Sequence, residues 1–150
     1  MKTILSAVIK QLRADCSFLK TIEADLGQLD VRYGETSRPP VAYPCVVVSM
    51  AVTGRVDVTP KLQECDAVIT VTYATDRVGF TGDKTLVPYD EASEVYAALQ
   101  GFGTREFEPL SRKSGSADGS KPGLFRYRWT FATSYVDETA VAARSGEGMG

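Results

Sequence analysis

The chain has 150 residues, of which 43% are hydrophobic and 24% charged, a balance typical of one globular domain with its own core. Its formal net charge of -2 argues against a dedicated nucleic-acid-binding protein. The three cysteines form no CxxC motif, and no apolar run reaches the ~20 residues that a membrane-spanning helix needs. A disulfide framework, a zinc motif and a membrane anchor are therefore not expected.

The N-terminal part of the chain predicts a helix, a short strand and an arm. In residues 3–20 the apolar positions recur at helical spacing, which predicts an amphipathic helix. Apolar and polar residues alternate in 29–33, as in a half-buried strand. Three prolines in 34–44 predict an extended, irregular arm.

The middle of the chain predicts a β-hairpin. Residues 45–52 are continuously apolar and rich in valine, which predicts a central strand covered on both faces. Residues 53–62 contain Gly54 and Pro60 and predict the hairpin connection, which can continue the ladder beyond the sheet. Residues 65–75 alternate and predict the return strand, with one face in the core.

The next segment predicts a second helix followed by irregular chain. Pro88 suits the first turn of a helix, and Gly101 ends the helical pattern. A short strand is possible in 104–110, and residues 111–121 are so polar that a loop is expected.

The last predicted strand has the strongest alternation in the chain. Its aromatic residues share one face, which predicts that this face lies in the core: Phe125, Tyr127, Trp129, Phe131 and Tyr135. Residues 137–150 are mostly small or charged and predict a flexible C-terminal tail. We therefore expect a single α+β domain over residues 1–136, with a mostly antiparallel sheet of four to five strands packed with two main helices.

The sequence offers little for catalysis. It contains no histidine, which removes the commonest general base near neutral pH and the Ser/His/Asp and Cys/His nucleophile systems. The adjacent carboxylates, Glu64 with Asp66 and Asp90 with Glu91, are of the kind that usually remains solvated or caps a helix. We predict that the protein is not an enzyme and that it has no cofactor, no metal site and no catalytic residue.

One local basic cluster stands out in the otherwise acidic chain. It comprises Arg112, Lys113, Lys121, Arg126 and Arg128. Such a cluster can contact nucleic acid or an acidic neighbour, or it can lie on a solvated sheet face. We treat these five residues as candidates for an interface or a lumen. Cys45 and Cys65 could also approach each other if their two strands pair.

Three segments, taken in their order along the chain, carry a family resemblance. They are the arm-to-strand junction 42–48 (AYPCVVV), the helix end 96–99 (YAAL) and the final strand 127–131 (YRWTF). With the N-terminal amphipathic helix, this order resembles the tail-terminator, or tail-completion, proteins of long-tailed bacteriophages and related contractile particles.

The resemblance implies a structural protein that forms a ring, usually a hexamer. Such a ring caps the tail tube and provides the surface to which the head docks. The implied partners are further copies of the chain, the tail tube protein and head-tail connector proteins, with no membrane and no sequence-specific nucleic acid. The implied location is the virion, assembled in the host cytoplasm. Two alternatives stay open, another head-to-tail connector or neck protein and a monomeric α+β ligand-binding module.

Overall fold

The computed structural model describes residues 1–30, 41–76, 82–118 and 123–138. Within these ranges the chain forms two α-helices and five strands. In chain order they are α1 (Lys2–Asp15), β1 (Thr21–Ala24), β2 (Cys45–Thr59), β3 (Leu62–Thr75), α2 (Val87–Leu99), β4 (Ser111–Asp118) and β5 (Phe125–Asp137). Short 3₁₀ turns lie at Gln28–Asp30 and Gly82–Leu86. The predicted α+β class is confirmed.

The five strands form one sheet in the order β1-β2-β3-β5-β4. Only the β1–β2 pair is parallel, and the other three pairs are antiparallel, as predicted. The hairpin of β2 and β3 is long, with Thr59 still paired to Leu62 near its tip. Strand β5 follows β3 to the same end, where Asp137 pairs with Gln63.

Both helices pack on one face of the sheet. Helix α1 buries Ile4, Val8 and Leu12, one residue per turn, against the strands. The strand residues in this core alternate along β3 and β5, as the sequence predicted: Cys65, Ala67, Ile69, Val71, Tyr73, Trp129, Phe131 and Tyr135. A second, smaller cluster covers one end of the other face: Leu29, Cys45, Val47 and Ala74, packed by Val41, Tyr43 and Leu124.

The structure corrects the prediction for 111–121, because its first eight residues form strand β4 rather than a loop. Seven of these eight side chains are exposed, so the segment lacks the apolar alternation that identifies a strand in sequence. Its place in the sheet comes from backbone pairing with β5, for example of Ser114 with Thr130.

Three further predictions are wrong in their bounds. Helix α1 ends at Asp15 and not at residue 20, and the chain then forms β1. Leu29 belongs to a 3₁₀ turn and not to a strand; residues 31–33 and the arm residues 34–40 lie outside the described residues. Residues 104–110 form no strand, although Leu110 donates its backbone N–H to the carbonyl of Phe102 at 2.8 Å.

The aromatic face of β5 generates a stability prediction. Trp129 is 2% exposed, and its ring lies 4.7 Å from that of Tyr127. Replacing Trp129 with alanine leaves a cavity that neighbours fill only in part, so we expect a loss of about 3–5 kcal/mol in the free energy of unfolding. Urea denaturation followed by circular dichroism measures this loss. The matched control is Leu26→Ala, at a residue 88% exposed, which should change stability little; equal losses in both variants would contradict the placement of Trp129.

Candidate assembly surface

The structure places four of the five basic candidates on β4 and β5, on different faces of the sheet. Arg112 lies on the helix side, where its guanidinium carbon is 4.4 Å from the centre of the Tyr96 ring. This is the geometry of a cation–π contact, which holds the side chain against α2. Lys113 is exposed at an irregularity in the β4–β5 pairing. Lys121 lies outside the described residues.

Arg126 and Arg128 lie on the opposite face, which the helices do not cover. Arg126 is only 8% exposed, and its Nη2 atom is 2.7 Å from Oδ2 of Asp118 on the neighbouring strand. A short, partly buried ion pair of this kind fixes the end of β4 on β5. Arg128 is exposed, and its Nε donates to Oγ1 of Thr72 at 3.4 Å. Of these two arginines, Arg128 is therefore the more accessible to a partner.

The open face of the sheet, defined as the side away from α1 and α2, is lined by small side chains. They are Ser49, Ala51, Val68, Thr70, Thr72, Thr130, Ala132, Ser134, Ser114 and Ser116. Some of their polar groups are hydrogen-bonded within the face. The hydroxyls of Ser114 and Thr130 are 2.6 Å apart, and Ser134 donates to Asp66 at 2.8 Å. Part of the polar surface of the open face is therefore hydrogen-bonded within the sheet.

Exposed apolar side chains mark the hairpin arm, which we define as residues 54–63. Val56 is 67% exposed and Val58 is 56% exposed. Val136 is 48% exposed and lies beside this arm, since its register partner is Glu64. The 53–62 segment carries too few apolar residues to separate an exposed edge from a connecting loop, so the sequence did not predict the exposure of Val56 and Val58.

A groove of about 680 Å³ runs past the end of β5. The segment 101–110 forms one wall, and the Ser134 carbonyl accepts the Glu108 N–H at 2.9 Å to hold it there. Gly103 is needed for this approach, because an added Cβ would lie 2.8 Å from the backbone nitrogen of Pro109. The charged lining residues are Arg105, Glu106, Glu108, Asp137 and Glu138. The groove is therefore open and mainly acidic.

The adjacent carboxylates lie apart from this groove. Asp66 accepts the Ser134 hydroxyl on the open face, while Glu64 is exposed directly after the hairpin arm. On α2, Glu91 accepts the Tyr73 hydroxyl at 2.9 Å, and Asp90 is exposed in the first turn. Among the described residues no three His, Cys, Asp or Glu side chains are grouped so as to hold a metal ion.

The three cysteines are free and buried. Cys45 pairs with Ala74 and Cys65 with Arg55, so the two cysteines stand near opposite ends of the β2–β3 ladder and do not approach each other. Burial raises the pKa of the Cys16 thiol to about 11 and that of Cys45 to about 12.

Comparison with known proteins finds similarity at the level of structure. The fold is similar to a chain of the particle described as the virion of a native gene transfer agent (GTA), with a TM-score of 0.64 and 21% sequence identity. The alignment covers 89% of this chain and 94% of that one. No protein-family model matches the sequence, and no curated protein matches it. The similarity therefore establishes a shared fold over nearly the whole length of both chains. In the described part of the chain, neither helix is long and apolar enough to cross a bilayer.

The buried cysteines generate a prediction about thiol reactivity. The thiolate is the reactive form, and both burial and the raised pKa values of Cys16 and Cys45 suppress it at pH 8. We expect no rapid reaction of the folded protein with Ellman's reagent and three reactive thiols in 6 M guanidinium chloride. Rapid titration of a thiol in the folded protein would contradict the assigned burial.

Proposed function

We propose that this protein is a structural component of a phage-like particle and serves as its tail terminator. In this role it forms a homo-oligomeric ring, a hexamer, that caps the tail tube and offers a docking surface for the head. The observation that carries the proposal is the fold shared with a chain of a gene transfer agent virion, at a TM-score of 0.64 over 94% of that chain.

The surface described above supports a role in assembly. The open face is lined largely by small side chains, and the hairpin arm exposes Val56 and Val58. Exposed apolar residues on a projecting arm are common where subunits meet, since burying them against a neighbour is favourable. A protein that works by packing would use such features in place of a catalytic pocket.

We also propose the binding partners of the protein, its location and its domain boundaries. The partners are further copies of the chain, the tail tube protein and the head-tail connector proteins. The place is the virion, assembled in the host cytoplasm. We take residues 1–136 as the single domain and 137–150 as a tail, although Asp137 still belongs to β5 and 139–150 lie outside the described residues. We assign the basic candidates Arg112, Lys113, Lys121, Arg126 and Arg128 to an interface or to the lumen; among the described ones, Arg112, Lys113 and Arg128 are exposed.

The ring is tested by the solution mass of the purified protein. Size exclusion coupled to light scattering, over a concentration series, should give six times the 16.2 kDa chain mass. Negative-stain images of the same fraction should show closed rings. A defined mass that does not correspond to a ring would count against the hexamer.

The position in the particle is tested by gold labelling. Particles purified from a host that carries the whole particle gene set are incubated with gold-conjugated antibody to this chain. Label at the end of the tail that joins the head, and on free tails at one end only, supports a terminator. Label on the head without tails indicates another connector protein, and absence of label from particles would contradict a structural role.

A further inference from the structure

Two sides of the sheet have no partner strand among the described residues. Strand β1 pairs with β2 only over residues 45–48, so the same side of β2 is open over 49–59. Strand β4 pairs with β5 on one side, and its other side is open beyond Arg112, whose N–H donates to Oε1 of Gln100 at 2.9 Å. An open strand side presents unpaired N–H and C=O groups and is a ready template for another strand. The two open sides lie at opposite ends of the strand order.

The hydrogen bonds show which backbone groups of β2 point outward. The Val48 carbonyl accepts the Asp25 N–H at 2.8 Å, so the backbone groups of Val48 face the side of β1. Because backbone groups alternate sides along a strand, those of Met50 and Val52 face the same way. A bulge follows Val52, and beyond it Arg55 takes the outward position.

The same reasoning applies to β4. The Ser134 carbonyl accepts the N–H of Glu108 on the side of β5 that faces β4. Because backbone groups alternate sides along a strand, those of Thr130, four residues earlier, face the same side. Thr130 is the partner of Ser114, so Ser114 bonds inward and Gly115 points outward. Two residues further on, Ala117 also points outward. Its N–H is therefore available to a partner without loss of a bond to β5.

The directions of the two strands permit a repeating contact. The sequence β2, β3, β5, β4 is antiparallel at each step, so β2 and β4 run in opposite directions. A second copy, rotated about an axis along the strands, would place its β2 antiparallel beside β4. Such a contact joins two different surfaces, and a head-to-tail contact of this kind closes into a ring if the rotation permits.

The offset between the open stretches matches the geometry of a closed sheet. The register can be followed across the sheet from β2 to β4 through the pairs Ser49–Thr70, Thr70–Thr130 and Thr130–Ser114. It places β4 at the same height along the strand direction as residues 45–51 of β2. The open stretch of β2 is centred about six residues further on, or about 20 Å at 3.3 Å per residue. Across four strands about 4.8 Å apart, this shift corresponds to a strand tilt of about 45°, at the upper end of the usual range for barrels.

The side chains at this contact are compatible. Antiparallel pairing with that offset brings the beginning of β4 in one copy near the outer half of the hairpin arm in the next. Lys113 of the first copy then lies near Asp57 of the second, and the two side chains have opposite charges. The exposed Val56 and Val58 lie on the same stretch of β2 and would lose water contact on pairing.

We infer that the open side of β2 in one copy pairs with the open side of β4 in the next, so that one sheet continues around the ring. This inference rests on the proposed function, since it specifies the contact that builds the proposed ring. The partner is a second copy of this chain, and the contact consists of main-chain hydrogen bonds with Lys113 near Asp57.

A proline substitution tests the outward N–H of β4. Ala117→Pro removes that N–H but no bond to β5, so we expect loss of the ring in light scattering with an unchanged thermal midpoint. Ala117→Val is the matched control, because it retains the N–H, and should keep the ring. If Ala117→Pro fails to fold, Arg55→Pro tests the other open side, with Arg55→Thr as its control. Proline variants of both sides that fold and still form rings would overturn the inference.

Cross-linking tests which sides meet. The double variant Asp57→Cys with Lys113→Cys is treated with a short bismaleimide, while the three native thiols are buried. We expect a ladder of dimers, trimers and larger species on a denaturing gel, and monomers from each single variant. Dimers from Lys113→Cys alone would show β4 pairing with β4, and this result would overturn the head-to-tail contact.

The two experiments separate this inference from the proposed function. Wild-type rings that tolerate the proline substitutions and give no ladder would overturn the edge pairing and leave the ring in place. A wild-type chain that stays monomeric at every concentration overturns the edge pairing as a self-assembly contact, while gold labelling of particles still decides the role in the tail.

Discussion

The pairing of β3 on both of its sides is the constraint on which the rest of the structure depends. Strand β2 binds one side and β5 the other, each over most of the length of β3. The alternate residues Ile69, Val71 and Tyr73 are fully buried beneath the helices. Because both neighbours are fixed in register, a slip of one residue would turn these apolar side chains to the open face. The register of β3 therefore determines which face receives α1 and α2.

The layering is one-sided as a consequence. Both helices use their apolar stripes on the same face, and the second cluster around Leu29 and Val47 covers only one end of the other. On the rest of the open face some polar groups are hydrogen-bonded to one another, as in the Ser114–Thr130 and Ser134–Asp66 contacts. The polar groups that remain can bond to water, so this face needs no second protein layer to satisfy them.

Sequence periodicity identified the strands in which buried apolar residues alternate with more polar ones. The aromatic alternation from Phe125 to Tyr135 and the alternation along β3 predicted the two inner strands correctly, because each has one dry face. Pro88 and Gly101 bounded α2 for reasons of local backbone chemistry. These features depend on neighbouring residues along the chain and can therefore be inferred from sequence.

The edge strands could not be identified in the same way. Strand β4 is exposed throughout almost its whole length, and β1 has four residues, so their positions depend on hydrogen bonds to distant segments. Because the sequence did not predict β4, it also did not show how the basic candidates are divided between the two faces of the sheet. The alternation of β5 already placed Arg128 on the face opposite its aromatic residues, but only when 111–118 is known to be a strand can Arg112 be placed on the helix side, next to Tyr96. The cluster in sequence is thus divided in space.

The hairpin arm has a consequence for the thermodynamics of assembly. Its backbone is already ordered, because β2 and β3 are paired out to Thr59 and Leu62, and β5 supports the ladder as far as Gln63. A segment that must fold on its partner loses conformational entropy during binding, which lowers its affinity for a given contact area. In the arm that loss has occurred during folding of the single chain. Contacts made by the arm therefore stabilise the associated state with little further loss of conformational entropy. A small exposed surface such as that of Val56 and Val58 can then contribute measurably to the affinity between subunits.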